Sequence, residues 1–231
     1  MKYLIVNGDD FGASRGINRG IIEAHHHGIL TSTSLMVNTP WSEEAAFLSR
    51  AAPDLSVGLH VHILNEAREP AAGPVADDSY RAELHDQFLS FQGLIGRPPT
   101  HLDSHHNVHR APWLLPHFLD LAQQYGLSLR EHSPVRYFSK FYGQWGGETH
   151  LEQIGVESLV RMLETEVHDG FTELSCHPGC ADPDFPSGYS LERETELRTL
   201  CDPIIRQALA QRSIQLISFR DLGNLLPGLT A

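Results

Sequence analysis

At 231 residues, 41% hydrophobic and 20% charged, the chain has the composition of a globular protein, and no run approaches the roughly 18 consecutive apolar residues of a membrane span. Its formal net charge of −12, with 17 Lys and Arg residues scattered rather than gathered into a stripe, would repel a phosphate backbone and argues against nucleic acid as a partner. Three cysteines, Cys176, Cys180 and Cys201, show no CxxC spacing, which argues against a disulfide framework or structural zinc and fits a reducing cytoplasm.

Short apolar runs alternate with amphipathic stretches along the chain, the pattern of repeated βα units around a parallel sheet. Residues 2–7 form an apolar run that closes on Gly8-Asp9-Asp10, too brief and too acidic for a secretory signal, and are expected to be a strand. A helix is expected over 17–27, a strand over 30–37, a helix over 42–51 and a strand over 55–62. After an irregular stretch at 65–78, rich in Ala, Pro and Glu, the pattern gives a helix at 80–94 and a strand at 99–104. A helix at 112–125, stopped by Gly126, then leads to a strand at 127–130. The remaining segments are a helix at 157–167, a strand at 172–176, an irregular loop at 179–188, a helix at 191–211 and a strand at 214–217. Pro112 and Pro203 suit the first turn of a helix, where a missing N–H costs nothing. About seven strands, most followed by a helix-sized segment, predict one domain over 1–231, a (β/α) barrel with its site in the loops after the strands.

Polar residues at strand ends carry the chemistry, because a strand of Val, Leu and Ile gains nothing in stability from them. The first strand ends in two adjacent carboxylates, Asp9 and Asp10, between Gly8 and Gly12, which permit a sharp turn and the close approach of a ligand. Like charges there call for something positive between them. In 55–62 the period of two puts His60 and His62 on one face, and in 99–109 it aligns His101, Asp103 and His105. His177 stands before a Pro-Gly turn that fixes its position. Carboxylate and imidazole groups from separate elements suit a divalent cation with sites left for water.

Other histidines fit blander roles. His25, His26 and His27 are consecutive on a helix and splay about 100° apart, so they cannot share a cation. His85, His117, His132, His150 and His168 fall in helical or loop segments where the pattern offers no partner. Cys176 lies on the opposite strand face from His177 and is expected to be a buried thiol.

These landmarks resemble the YdjC-like carbohydrate deacetylase family, which includes chitooligosaccharide and hopanoid-associated deacetylases. Residues 5–12 (IVNGDDFG) are similar to that family's N-A-D-D-F-G, residues 28–36 (GILTSTSLM) to G-I-x-T-S-x-S, and residues 57–60 to V-G-L-H. Residues 99–106 (PTHLDSHH) match its most distinctive string and 176–179 its C-H-P-G. The order is the family's, over nearly the whole chain. The resemblance implies a distorted barrel akin to polysaccharide deacetylases, with Asp10, His60 and His105 as metal ligands, Asp9 as general base and His177 as general acid. The chain departs from the pattern at Asn107, where a third histidine is usual, and at 61–66 (VHILNE), where a Thr is usual and the following loop is short.

The chemistry implied is amide hydrolysis. One divalent ion (Mg, Zn, Mn, Co or Ni) polarises the acetyl carbonyl of an N-acetylated amino sugar, Asp9 deprotonates water and a protonated His177 serves the departing amine. Asp103 and Arg130 are expected to support the site or bind substrate, Arg130 as a partner of Asp9 or in a structural ion pair, and His106 and His62 are expected beside them. The alternatives are a metal-dependent phosphoesterase or other carbohydrate-active hydrolase, a non-haem iron oxygenase, and a non-catalytic sugar-binding module. Phosphate release, or activity with added metal, separates them. The sequence leaves open the sugar, the native metal and the oligomeric state, homo-oligomer included.

Overall fold

The computed structural model describes residues 1–63, 74–185 and 187–226. From the N-terminus run β1 (Lys2–Phe11), α1 (Arg15–His27), β2 (Ser32–Leu35), α2 (Ser42–Ala51), β3 (Ser56–Val61), α3 (Pro74–Ile95) and β4 (His101–Ser104). A kinked 3₁₀ segment, His105–Arg110, leads to α4 (Leu115–Tyr125), β5 (Ser128–Leu129) and β6 (Val135–Phe138). A small antiparallel hairpin follows, β7 (Gln144–Trp145) with β8 (Glu148–Thr149). The chain closes with α5 (Val156–Thr165), β9 (Gly170–Cys176), α6 (Ser190–Cys201), α7 (Pro203–Gln211), β10 (Ile214–Leu216) and α8 (Leu222–Leu225).

Helix boundaries follow local chemistry. Ser14 caps α1 by accepting the Ile17 N–H, and Gly126 ends α4 in the left-handed conformation. The expected helix over 191–211 is two helices, because Asp202 leaves the helical region and caps Ile204 while Pro203 begins a new first turn. The expected loop at 65–78 lies outside the described residues up to 73, and from Pro74 the chain is already helical. Strand β6 is an addition to the sequence expectation: Val135 and Phe138 are too few apolar residues to advertise a strand, and the edge of β9 supplies the ladder.

Seven strands lie in the order β5-β4-β3-β2-β1-β9-β6, all parallel. On β1 one edge pairs with β9 from Lys2 to Gly8, while the other is shared by β10 at Lys2–Leu4 and β2 at Asn7–Phe11. Among the described residues no ladder joins β5 to β6, so the curled sheet is a barrel left open on one side. Helices cover its outer face, and β1 to β4 are almost wholly buried, as parallel strands require.

The interior has two storeys. A small apolar cluster, Ile5, Val135, Ile217, Phe219 and Leu222, fills the end where β1 begins, with the His101 ring stacked on Phe219 at 3.8 Å. Above it the inward side chains turn polar, with Asn7, Ser34, His60 and Asp103 joined by hydrogen bonds. Fixed dipoles and charges therefore floor the C-terminal mouth of the barrel.

Candidate active site

Asp10, His60 and His105 come together from β1, β3 and the turn after β4. Asp10 Oδ1 lies 3.3 Å from His60 Nε2 and 3.1 Å from His105 Nδ1. An ion bonded at about 2.0–2.2 Å sets adjacent ligand atoms about 3.0–3.4 Å apart, so this donor set fits a small divalent cation. Asp10 reaches the position with φ +69°, a left-handed backbone that the following Gly12 (φ +96°) continues. A side chain at Gly12 would put its Cβ 2.7 Å from the Met36 carbonyl oxygen, so the turn excludes one. His105 stands just off the strand in the 3₁₀ turn rather than on it, as the alternation alone had suggested. His60 donates Nδ1–H to Asp103 Oδ1 at 2.7 Å, which fixes the ring and aims Nε2 at the cluster. Burial opposes a charge on this imidazole, yet Asp103 and Asp10 raise it to about 10.

Asp9 lines the same cavity and is held by a buried arginine. Arg130 forks onto it, Nη1 to Oδ2 and Nη2 to Oδ1, both at 2.8 Å, and Asn7 adds a 2.8 Å bond to Oδ1. The same guanidinium meets Asp103 at 2.9 Å and Glu173 at 2.6 Å. Each of the adjacent carboxylates has its own cation, Arg130 for Asp9 and Arg193 for Asp10, and at 2% exposure Arg130 is out of a substrate's reach. Burial raises the Asp9 carboxyl, but Arg130 outweighs it and holds the pKa below the usual value. Glu173 is pushed up by burial to about 7 in spite of the arginine. A second trio, Asp9, His60 and Asp103, has its donor atoms as close together, but the Arg130 guanidinium fills it.

His177 follows β9, its Nε2 4.0 Å from Asp9 Oδ2. Its backbone N–H donates to Glu196, which also accepts the Tyr189 hydroxyl at 2.7 Å. Burial pushes the His177 imidazole down to about 4 against the pull of Asp10 and Asp9, which favours the uncharged ring. The ring stays partly exposed to the cavity, with the Tyr142 and Tyr189 rings 5.7 and 5.8 Å away. Asp9, Asp10, His60, His105 and His177 line one cavity of about 840 Å³, together with His62, His106, Tyr142, Tyr189 and Arg193. The His62 ring lies 5.3 Å and the His106 ring 3.8 Å from His105. Cys176 is buried, its thiol directed at the Asn7 carbonyl and not into the cavity.

Residues 3–211 match the model of the YdjC-like protein family. A chitooligosaccharide deacetylase from Serratia marcescens is 37% identical, over 96% of this chain and 99% of that protein. This chain belongs to the YdjC-like family. A carbohydrate deacetylase from Geobacillus stearothermophilus is 34% identical, over 97% of this chain and 99% of its own length. Among solved structures, a candidate cellobiose-phosphate cleavage protein from Enterococcus faecalis V583 superposes with a TM-score of 0.78 at 29% identity, covering 96% and 98% of the two chains. A family 4 carbohydrate esterase from Streptomyces lividans, solved with acetate, shares the fold at a TM-score of 0.59 and 16% identity, covering 93% and 91%.

This YdjC-like site also holds residues that the sequence expectation passed over. Glu173 sits mid-strand between Thr172 and Leu174, in step with Ser175 and His177, and an acid in that row is the available signal. Arg193 and Glu196 lie on α6, which carries charges all round and shows no apolar stripe to orient them. His85, set aside as lacking a partner, bonds Tyr125 Oη at 3.2 Å.

Proposed function

We propose that this protein is a metal-dependent carbohydrate N-deacetylase, hydrolysing the acetamide of an N-acetylated amino sugar to acetate and a free amine. The observation that carries the reading is the convergence of a three-donor cation site, a guanidinium-held carboxylate and the partly exposed imidazole of His177 on one cavity, in a member of a family whose relatives bear deacetylase names. Asp10, His60 and His105 would hold one divalent ion, which supplies polarisation of the acetyl carbonyl and a more acidic water. Magnesium, zinc, manganese, cobalt and nickel all suit the nitrogen and oxygen donors.

In this reading Asp9 is the base. Arg130 and Asn7 hold its carboxylate ionised and pointed, ready to take a proton from water as the new C–O bond forms. His177 starts uncharged and faces Asp9, so the proton that Asp9 removes is the one that His177 passes to the nitrogen as the C–N bond breaks. Asp103 orients His60, and His62 and His106 flank the space for the sugar. Residues 1–231 act as one domain, supported by a main apolar cluster running from Leu4 to Ile214. Cytoplasmic placement is part of the same proposal; no helix among the described residues is long and apolar enough to cross a membrane.

The phosphoesterase alternative loses support because the second donor trio is filled by Arg130, leaving one cation site among the described residues where two-metal chemistry needs two. A screen of N-acetylated amino sugars and oligosaccharides for acetate release, with each metal added to chelator-stripped protein, tests the proposal. Acetate from at least one substrate in a metal-dependent manner is expected. Phosphate release from phosphoesters without any acetate release would reject it.

A further inference from the structure

We infer that Arg193 is a positioning residue that holds Asp10 to a single metal-facing oxygen and loosens the cation site by its charge. The inference rests on the cation-site reading above. The two oxygens of Asp10 have separate partners: Oδ1 faces His60 and His105, while Oδ2 accepts a 2.5 Å bond from Arg193 Nη2. Among the described residues Asp10 is the one carboxylate in ion-pair contact with Arg193. The guanidinium therefore stands on the far side of the carboxylate from the two imidazoles.

Its path is built rather than incidental. The Arg193 side chain is 12% exposed, its Nη1 donates to the His177 carbonyl at 3.3 Å, and its own carbonyl accepts the Gly179 N–H at 3.2 Å. A Cβ on Gly179 would meet Arg193 Cβ and Cδ, each at 3.2 Å, so the glycine leaves the space through which the arginine stem runs. Among the described residues the buried Nε has no acceptor, so the arginine reaches Asp10 with one of its own donors unmet.

Two consequences follow for a cation on Oδ1. With Oδ2 committed to the guanidinium, the carboxylate gives one oxygen; released, it can swing and give two. A fixed positive charge a few ångströms behind the ligand also repels a divalent ion and drains charge from the carboxylate. Both effects weaken binding, so removing the charge should tighten it. An ordinary supporting hydrogen bond behaves in the opposite way, its loss lowering metal affinity about 10- to 100-fold. The sign of the change separates the two roles.

The test is titration of chelator-stripped full-length protein with Co²⁺ and Mn²⁺ against a competing chelator, for the wild type, Arg193→Gln, Arg193→Lys, Gly179→Ala and Asp10→Asn. Arg193→Gln is expected to bind about tenfold tighter, with a weaker Co²⁺ visible absorption as the coordination number rises. Arg193→Lys, which keeps charge and donor, should retain wild-type affinity. Gly179→Ala, which crowds the arginine stem without removing a donor, should shift affinity in the same direction as Arg193→Gln by less, and it stands in if the glutamine variant does not fold. Affinity that is unchanged or lower in both Arg193→Gln and Gly179→Ala overturns the inference while leaving the cation site intact. Wild type that binds no ion, or Asp10→Asn that binds as well as wild type, overturns the cation-site reading and this inference with it.

Discussion

Asp9 and Asp10 are neighbours in the chain and similarly buried, yet the φ of +69° at Asp10 turns their carboxylates to different partners, Arg130 for one and the two imidazoles for the other. Substitutions at the two positions should therefore separate. Asp10→Asn, His60→Ala and His105→Ala each remove a donor, so bound metal and acetate release should fall together. Asp9→Asn keeps the side chain's shape and the three donors, so metal should stay while the rate drops about 10²- to 10⁴-fold, mainly in kcat. Metal content measured beside rates decides this; a metal-free Asp9→Asn with a metal-loaded Asp10→Asn reverses the assignment. His177→Ala should lower kcat by about 10²- to 10⁴-fold with a smaller change in KM. Full activity in that variant would leave His177 a structural residue.

At the level of elements, one side chain ties four strands. Arg130, just beyond β5, reaches carboxylates from β1, β4 and β9 across the side where the barrel lacks a ladder between β5 and β6. Arg130→Met would leave Asp9, Asp103 and Glu173 crowded without a cation, and breaking a buried ion network in this way typically costs about 3–5 kcal/mol. Chemical denaturation should show a loss of that size; a change under about 1 kcal/mol would mean that the carboxyls simply take up protons, as Glu173, already near 7, is placed to do. The elements that sequence reading located best are those with a clear apolar pattern, α1 with its helical period and β1 with its continuous apolar run. The split of α6 from α7 was signalled by Asp202-Pro203, but the apolar positions on either side run on without a gap. Strand β6 carries little signal of its own and forms because β9 offers an edge.

For the molecule as a whole, the polar barrel interior makes stability depend on pH. His101 is buried against Phe219, and burial lowers its imidazole to about 4 from an ordinary 6.5. A depressed histidine is neutral in the folded chain, so stability is full above pH 6.5 and declines as the unfolded chain alone takes up a proton, levelling off below pH 4. The loss over that window is on the order of 3 kcal/mol from this residue. His101→Phe should flatten that part of the stability curve in equilibrium unfolding between pH 7 and 4, and an unchanged slope would mean that other groups set it. The sequence by itself determined the parallel βα architecture and the residues Asp9, Asp10, His60, Asp103, His105 and His177, because strand periodicity and polar residues at strand ends are local properties that need no partner to be seen. Only the tertiary structure decided that Arg130 sits among three carboxylates, that from a helix with no apolar stripe Arg193 reaches the cavity and Glu196 the His177 backbone, and that burial presses the His177 imidazole down. These depend on burial and on side chains up to 183 residues apart, and desolvation and pairing over such separations arise only when the barrel closes around them.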